Sequence, residues 1–103
     1  MQKRHENRNI YFKELSITSR NYFIPYIECW HPVEAKMDVL EIGCGEGGNL
    51  LPFSEIGCNT VGVDLAESRI KDAKTFFNES HTKGEFIASD IFNLKKLEQS
   101  FDI

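Results

Sequence analysis

No stretch of this chain approaches the roughly 18 apolar residues that a membrane span requires. The N-terminus has no apolar h-region either, so neither an anchor nor a signal peptide is expected. Cysteine is scarce. Cys29, Cys44 and Cys58 make an odd set, form no CxxC, and have no His pair at metal spacing. That argues against a disulfide framework and gives no metal site. They read as reduced thiols in a cytoplasmic protein. Basic charge is also in short supply: 12 Lys and Arg against 16 Asp and Glu leave a net charge of −4. A surface of that sign is not built for nucleic acid and leans toward a small-molecule partner. The one basic run, Lys3-Arg4-His5 with Arg8, is broken by Glu6 and reads as a solvated terminus. Internal repeats and low-complexity tracts are missing. A chain of 103 residues has room for one domain with a modest core.

What the chain does have is a cluster of glycine. Gly43, Gly45, Gly47 and Gly48 follow the apolar run Val39-Leu40-Glu41-Ile42 and precede Asn49-Leu50. Strand, glycine turn and helix start is the order that lets backbone N–H groups approach a ligand. The first strand spans Met37 to Ile42 and reads as buried on both faces. Asn49 is placed as the N-cap of a helix from Leu50 to Ile56, with Pro52 in its first turn and Gly57 as its stop. A second strand, Thr60 to Asp64, leads to a helix from Ala66 to Asn78 with Ile70, Ala73 and Phe77 on one face. Glu85 to Ser89 is the third strand. Leu94 and Leu97 hold a short helical turn, and Phe101-Asp102-Ile103 opens a fourth strand. The expected fold is α/β: a Rossmann-like parallel sheet with flanking helices, truncated at the fourth strand.

Residues 1–36 form an N-terminal helical segment ahead of this half-domain, which spans 37–103. Aromatic and aliphatic residues from Ile10 to Trp30 predict helices over about 9–18 and 21–31, with Pro25 in the first turn of the second. The segment reads as a layer packed on the sheet and also as a lid, with Tyr11, Arg20 or Tyr22 reaching a ligand. In parallel sheets ligands sit at the carboxyl ends of the strands. Glu41, Asp64 and Asp90 all fall there.

The glycines fit two templates. Gly43, Gly45 and Gly48 match G-x-G-x-x-G, the dinucleotide fingerprint, whereas Gly43, Gly45 and Gly47 match G-x-G-x-G. Glu41 separates them. An acid just before the turn repels a pyrophosphate but attracts an amine or a sulfonium. Asp64 would accept from ribose hydroxyls. Asp90 would accept from an exocyclic adenine amine, or else cap the following turn.

Together, Val39-Leu40-Glu41-Ile42-Gly43-Cys44-Gly45-Glu46-Gly47, Gly62-Val63-Asp64 with Ser68 and Ala73, Ser89-Asp90-Ile91 and Phe101-Asp102-Ile103 resemble the first four motifs of class I S-adenosylmethionine-dependent methyltransferases. The segment Tyr11 to Ile27 resembles the N-terminal helices of small bacterial members. The resemblance implies that Gly43, Cys44 and Gly45 line the methionine portion of S-adenosyl-L-methionine, that Gly47 belongs to the same cofactor-binding set, and that Glu41 supports that end. It implies that Asp64 holds the ribose, Leu65 packs on the adenine, Asp90 faces its amine, and Ile91 lies against the ring. The reaction would transfer a methyl group in line from sulfur to a nucleophile, leaving S-adenosyl-L-homocysteine. Sheets of this family have seven strands, and their acceptor-binding residues usually follow the fourth. The resemblance therefore names neither the acceptor nor a catalytic base, and the unfinished sheet edge invites self-association. Two alternatives stand beside it: the Rossmann half of an NAD-dependent oxidoreductase, and a non-catalytic fragment or pseudoenzyme.

Overall fold

β-Branched and aliphatic residues gather into three short strands, which pair in the computed structural model of residues 7–94 and 99–103. These are β1 (Asp38–Ile42), β2 (Asn59–Asp64) and β3 (Glu85–Ala88), all parallel and in the order β1-β2-β3. Leu40 lies opposite Val61, and Gly62 opposite Phe86. The peptide at Asp102 and Ile103 runs along the other edge of β1. There Asp102 N–H donates to the Asp38 carbonyl at 2.8 Å and Leu40 N–H to the Ile103 carbonyl at 3.0 Å. The residues expected to open a fourth strand thus lie along β1 without forming a strand themselves. β1 is less enclosed than its apolar run suggests: Val39 is buried, but Ile42 is 49% exposed where the strand opens onto the glycine turn.

Among the described residues four α-helical stretches flank the sheet: α1 (Arg8–Thr18), α2 (Ile24–Glu28), α3 (Leu51–Ile56) and α4 (Glu67–Glu79). The two N-terminal helices expected at about 9–18 and 21–31 are instead one rod. α1 runs without a break through a π-helical segment, Ser19–Phe23, into α2. Pro25 is the physical reason. It offers no N–H, and its ring collides with the carbonyl four residues back in a regular helix. The wider turn ahead of it accommodates the ring, with Ile24 N–H donating to the Ser19 carbonyl. The rod stops at Glu28 rather than at residue 31. Cys29 and Trp30 bond three residues back, to the Tyr26 and Ile27 carbonyls, and Pro32, with no N–H, cannot carry the helix on.

α3 begins one residue later than expected. Leu50 takes the cap position, where its side chain has no acceptor to offer, and the Asn49 amide donates to Glu41 instead. Gly57 ends this helix at φ +111°, a conformation that suits glycine. α4 buries Ile70, Ala73 and Phe77, as its spacing predicts. The turn after β3 is a 3-10 turn at Ile91–Asn93, with Leu94 already extended. Leu97 lies outside the described residues.

One apolar cluster joins these layers. Phe12 and Ile24 of the N-terminal rod share it with Val39, Leu50, Phe53, Ile70, Phe77 and Phe86. Phe77 and Phe86 meet edge to face at 4.6 Å, and Phe12 packs 5.0 Å from Phe76. Each fully buried Phe stabilises the fold by about 1.5–3 kcal/mol.

Candidate functional site

The site grows from the end of β1. Gly43, Gly45 and Gly47 take φ of +76°, +55° and +85°, the left-handed region that side chains disfavour. Gly48 has an ordinary φ, but a Cβ there would lie 2.7 Å from the Phe12 carbonyl oxygen and from Leu15 Cβ. So the first three glycines shape the turn, and the fourth lets α1 rest on it.

Val63 and Asp64 tie this turn to β2. The Val63 carbonyl accepts from Gly43 N–H at 2.7 Å and from Cys44 N–H at 3.0 Å. Asp64 Oδ2 accepts from Gly45 N–H at 2.9 Å, and its Oδ1 accepts from Ala66 N–H at 2.9 Å. One carboxylate therefore clamps the glycine turn to the start of α4. Each oxygen keeps a further lone pair for a ligand hydroxyl.

Glu41 is the electrostatic oddity. Its Oε2 accepts from the Asn49 side-chain amide at 3.1 Å, while Oε1 is buried without a partner among the described residues. Burial raises its pKa, the Asn49 hydrogen bond opposes that rise, and the negative charge of Asp64 adds to it. A buried acceptor without a donor is costly.

The Cys44 side chain turns toward Gly62 of β2. It is buried in the core, and its Sγ sits 2.7 Å from where a Cβ on Gly62 would be. Burial, then the negative charges of Glu41 and Asp64, push its thiol up to about 12. Such a thiol is no nucleophile at neutral pH, so only its backbone faces outward. Around Gly43 the space is open, with no atom within 4 Å of where a Cβ would stand.

Leu65 and Phe92 stand 75% and 92% exposed at the same end of the sheet. Ser89 N–H donates to the Asp64 carbonyl at 3.1 Å, which holds the end of β3 beside β2. Asp90 and Ile91 follow immediately. Asp90 Oδ1 accepts from Phe92 N–H at 3.0 Å, so it caps the 3-10 turn. The strand ends thus collect Glu41, the glycines, Asp64, Leu65, Asp90 and Ile91.

The three residues expected in a lid are placed differently. Tyr11 and Tyr22 are exposed, and Arg20 pairs with Glu55 of α3 at 2.5 Å. Arg8, by contrast, binds Asp72 at 2.6 Å and approaches Glu46 at 3.7 Å, fastening α1 to α4 and to the turn. The roles of four residues escape sequence reasoning: Asn49, Gly62, Arg8 and Ser19. Gly62 sits in a strand, where glycine signals close backbone approach, and that signal is present in the sequence. Among the described residues no group of three or more His, Cys, Asp or Glu could hold a metal ion, and no helix is long and apolar enough to cross a membrane.

A parallel sheet with a glycine turn after its first strand, and acids at the ends of the first and second, defines a ligand-binding domain of the Rossmann-like class. Residues 39–103 match the family described as the methyltransferase domain, and the chain belongs to that family. Relatives include a ubiquinone biosynthesis O-methyltransferase of Rickettsia akari, 29% identical over 67% of this chain and 27% of that protein. An mRNA cap guanine-N(7) methyltransferase of Schizosaccharomyces pombe is 33% identical over 61% of this chain and 18% of that protein. Among solved structures, PKMT2 from Rickettsia typhi in complex with AdoHcy superposes with a TM-score of 0.63 at 33% identity. That superposition covers 70% of this chain and 15% of the other. The chain therefore spans under a third of the length of each of these proteins.

Proposed function

We propose that this chain binds S-adenosyl-L-methionine across the carboxyl ends of β1, β2 and β3, and supplies the cofactor half of a methyl-transfer reaction. The observation that carries this reading is the buried Oε1 of Glu41 beside the glycine turn, which has no partner among the described residues. It calls for a hydrogen-bond donor, and an ammonium group supplies one with charge. A pyrophosphate would supply only more negative charge. The other residues fit the same ligand. The spare lone pairs of Asp64 suit ribose hydroxyls, exposed Leu65 and half-buried Ile91 suit an adenine ring, and Asp90 Oδ2 suits its amine. Gly43, the Cys44 backbone, Gly45 and Gly47 would lie against the methionine portion.

The bound cofactor supplies an electrophilic methyl group on sulfur. The protein's part is to hold it and keep its orientation fixed. Residues 37–103 serve as the binding half-domain, and residues 1–36 as its cover. Tyr11 and Tyr22 are exposed and available as contacts from that cover, and Arg20 would join them by leaving Glu55. The net acidic charge favours a small-molecule acceptor, and the free cysteines favour the cytoplasm. Self-association through the sheet edge is part of the same proposal.

Isothermal titration of the full chain with S-adenosyl-L-homocysteine tests the reading, with NAD as the control. Saturable binding of the first and none of the second is expected. NAD binding alone, or no binding of either, would overturn it.

A further inference from the structure

The buried oxygen of Glu41 is only useful if the other oxygen is held. Asn49 holds it, through Nδ2 to Oε2 at 3.1 Å. Asn49 is in turn held by the N-terminal rod. The Ser19 hydroxyl donates to the Asn49 carbonyl at 2.7 Å, and Ser19 is 0% exposed. Ser19 is also the first residue of the π-helical segment, an irregularity often found at functional sites. Next to Asn49, Gly48 leaves no room between the turn and the Phe12 carbonyl. The rod therefore sits directly on the turn at the point where the hydroxyl reaches in. Asn49 Oδ1, like Glu41 Oε1, is buried with no donor among the described residues.

We infer that Asn49 is the positioning residue for Glu41, and that the N-terminal rod sets it through the Ser19 hydroxyl. The inference rests on the cofactor reading above, because it assigns Glu41 Oε1 to the ligand's ammonium. An amide donor on Oε2 favours the ionised carboxylate and leaves Oε1 as the free acceptor. Without it, a buried carboxyl holds its proton to higher pH and loses its attraction for a cation.

The charged surroundings leave this role to Asn49. Asp64, from β2, disfavours the carboxylate, and the Cys44 thiol stays neutral. From the rod, Arg8 is taken up by Asp72 and Glu46, and Arg20 by Glu55. From α4, Arg69 lies toward Gly45, its Nη1 4.0 Å from the Cβ position there.

The test is the pH dependence of S-adenosyl-L-homocysteine affinity, kept below about pH 7.7, where an α-amino group holds its proton. In the unmodified chain, affinity falls as pH drops through the Glu41 midpoint, and Glu41→Gln flattens that profile. Asn49→Ala moves the midpoint upward by about one pH unit, the scale of one charge-assisted hydrogen bond. Asn49→Asp is the isosteric companion. It keeps the side-chain shape, removes the donor, and moves the midpoint at least as far. Ser19→Ala moves it in the same direction by less. A structural role alone would lower affinity equally at every pH, and that result would overturn the inference. So would an unmoved midpoint in Ser19→Ala. If the unmodified chain binds no S-adenosyl-L-homocysteine, the cofactor reading fails and takes this inference with it. Binding with unshifted midpoints sinks the inference alone.

Discussion

The two ends of the sheet carry similar kinds of residue and put them to different uses. At the amino end, a cleft of about 270 Å³ is lined by Asp38, Asn59, Lys83 and Glu85 among others. Asp38 and Asn59 there are already engaged. Asp38 N–H donates to Asp102 Oδ2 at 2.8 Å, and the Asn59 amide donates to the Lys36 carbonyl at 3.2 Å and to Asp38 Oδ1 at 3.3 Å. At the carboxyl end Glu41 and Asn49 each bury an acceptor with no donor among the described residues, and Leu65 and Phe92 stand in solvent. A cleft with engaged polar groups lies at one end, and unmet bonding capacity among the described residues marks the other. Only unmet capacity predicts a ligand, because a satisfied polar group gains little by exchanging partners.

The comparison breaks most severely if the shared core fails. Phe77 packs under both ends, 4.6 Å from Phe86. Phe77→Ala should cost about 3–5 kcal/mol, which a chain of this size can hardly spare. A urea titration checks it, and a loss below about 1 kcal/mol would mean that the cluster repacks.

Asp64→Ala separates the ends. It removes two backbone hydrogen bonds and the proposed ribose contact, so S-adenosyl-L-homocysteine affinity should fall by about 1.5–3 kcal/mol. The matched change at the amino end, Asp38→Ala, should shift that affinity by no more than about 0.5 kcal/mol. Calorimetry on both variants decides, and equal losses would erase the distinction. Gly43→Ala is a smaller probe of the same end. Nothing lies within 4 Å of its Cβ position, so the cost is the positive φ alone. That is about 1–2 kcal/mol of stability by thermal melting. The chain should still fold, with its methyl group in the path of the ligand.

The sheet is legible in the sequence because its signals are local. Val39, Val61 and Val63 form apolar runs between glycine and helix, and period alone places them. Gly43, Gly45 and Gly47 are legible for the same reason, since a tight turn needs φ values that only glycine takes cheaply. Pro25 misleads. A proline inside an apolar helix predicts a break, and the π turn that absorbs it has no mark in the sequence. Asn49 misleads as well, because the best N-cap residue type stands where an N-cap belongs. Its side chain instead answers Glu41, eight residues earlier, and only the folded turn brings the two together. Gly62 is readable in principle, since a glycine in a buried strand makes room for a neighbour, here the Cys44 sulfur.

The smallest effect is the one that most sharply separates stability from function. The pKa of Glu41 is raised in the folded chain, so between its unfolded and folded values the native state binds more protons than the unfolded state. By linkage, the contribution of Glu41 to stability then falls as pH rises through that window, and above it the ionised, buried carboxylate is a net cost. Glu41→Gln removes the cost. The variant should melt slightly higher than the unmodified chain at neutral pH, and the gain should vanish in acid, where Glu41 is already protonated. The same variant should bind S-adenosyl-L-homocysteine more weakly, having lost the charge that meets the ammonium. Thermal melting and calorimetry on this one variant measure both sides. A lower melting temperature at neutral pH would show that the carboxylate is satisfied in the empty chain, and that the carboxyl end is no less self-contained than the amino end.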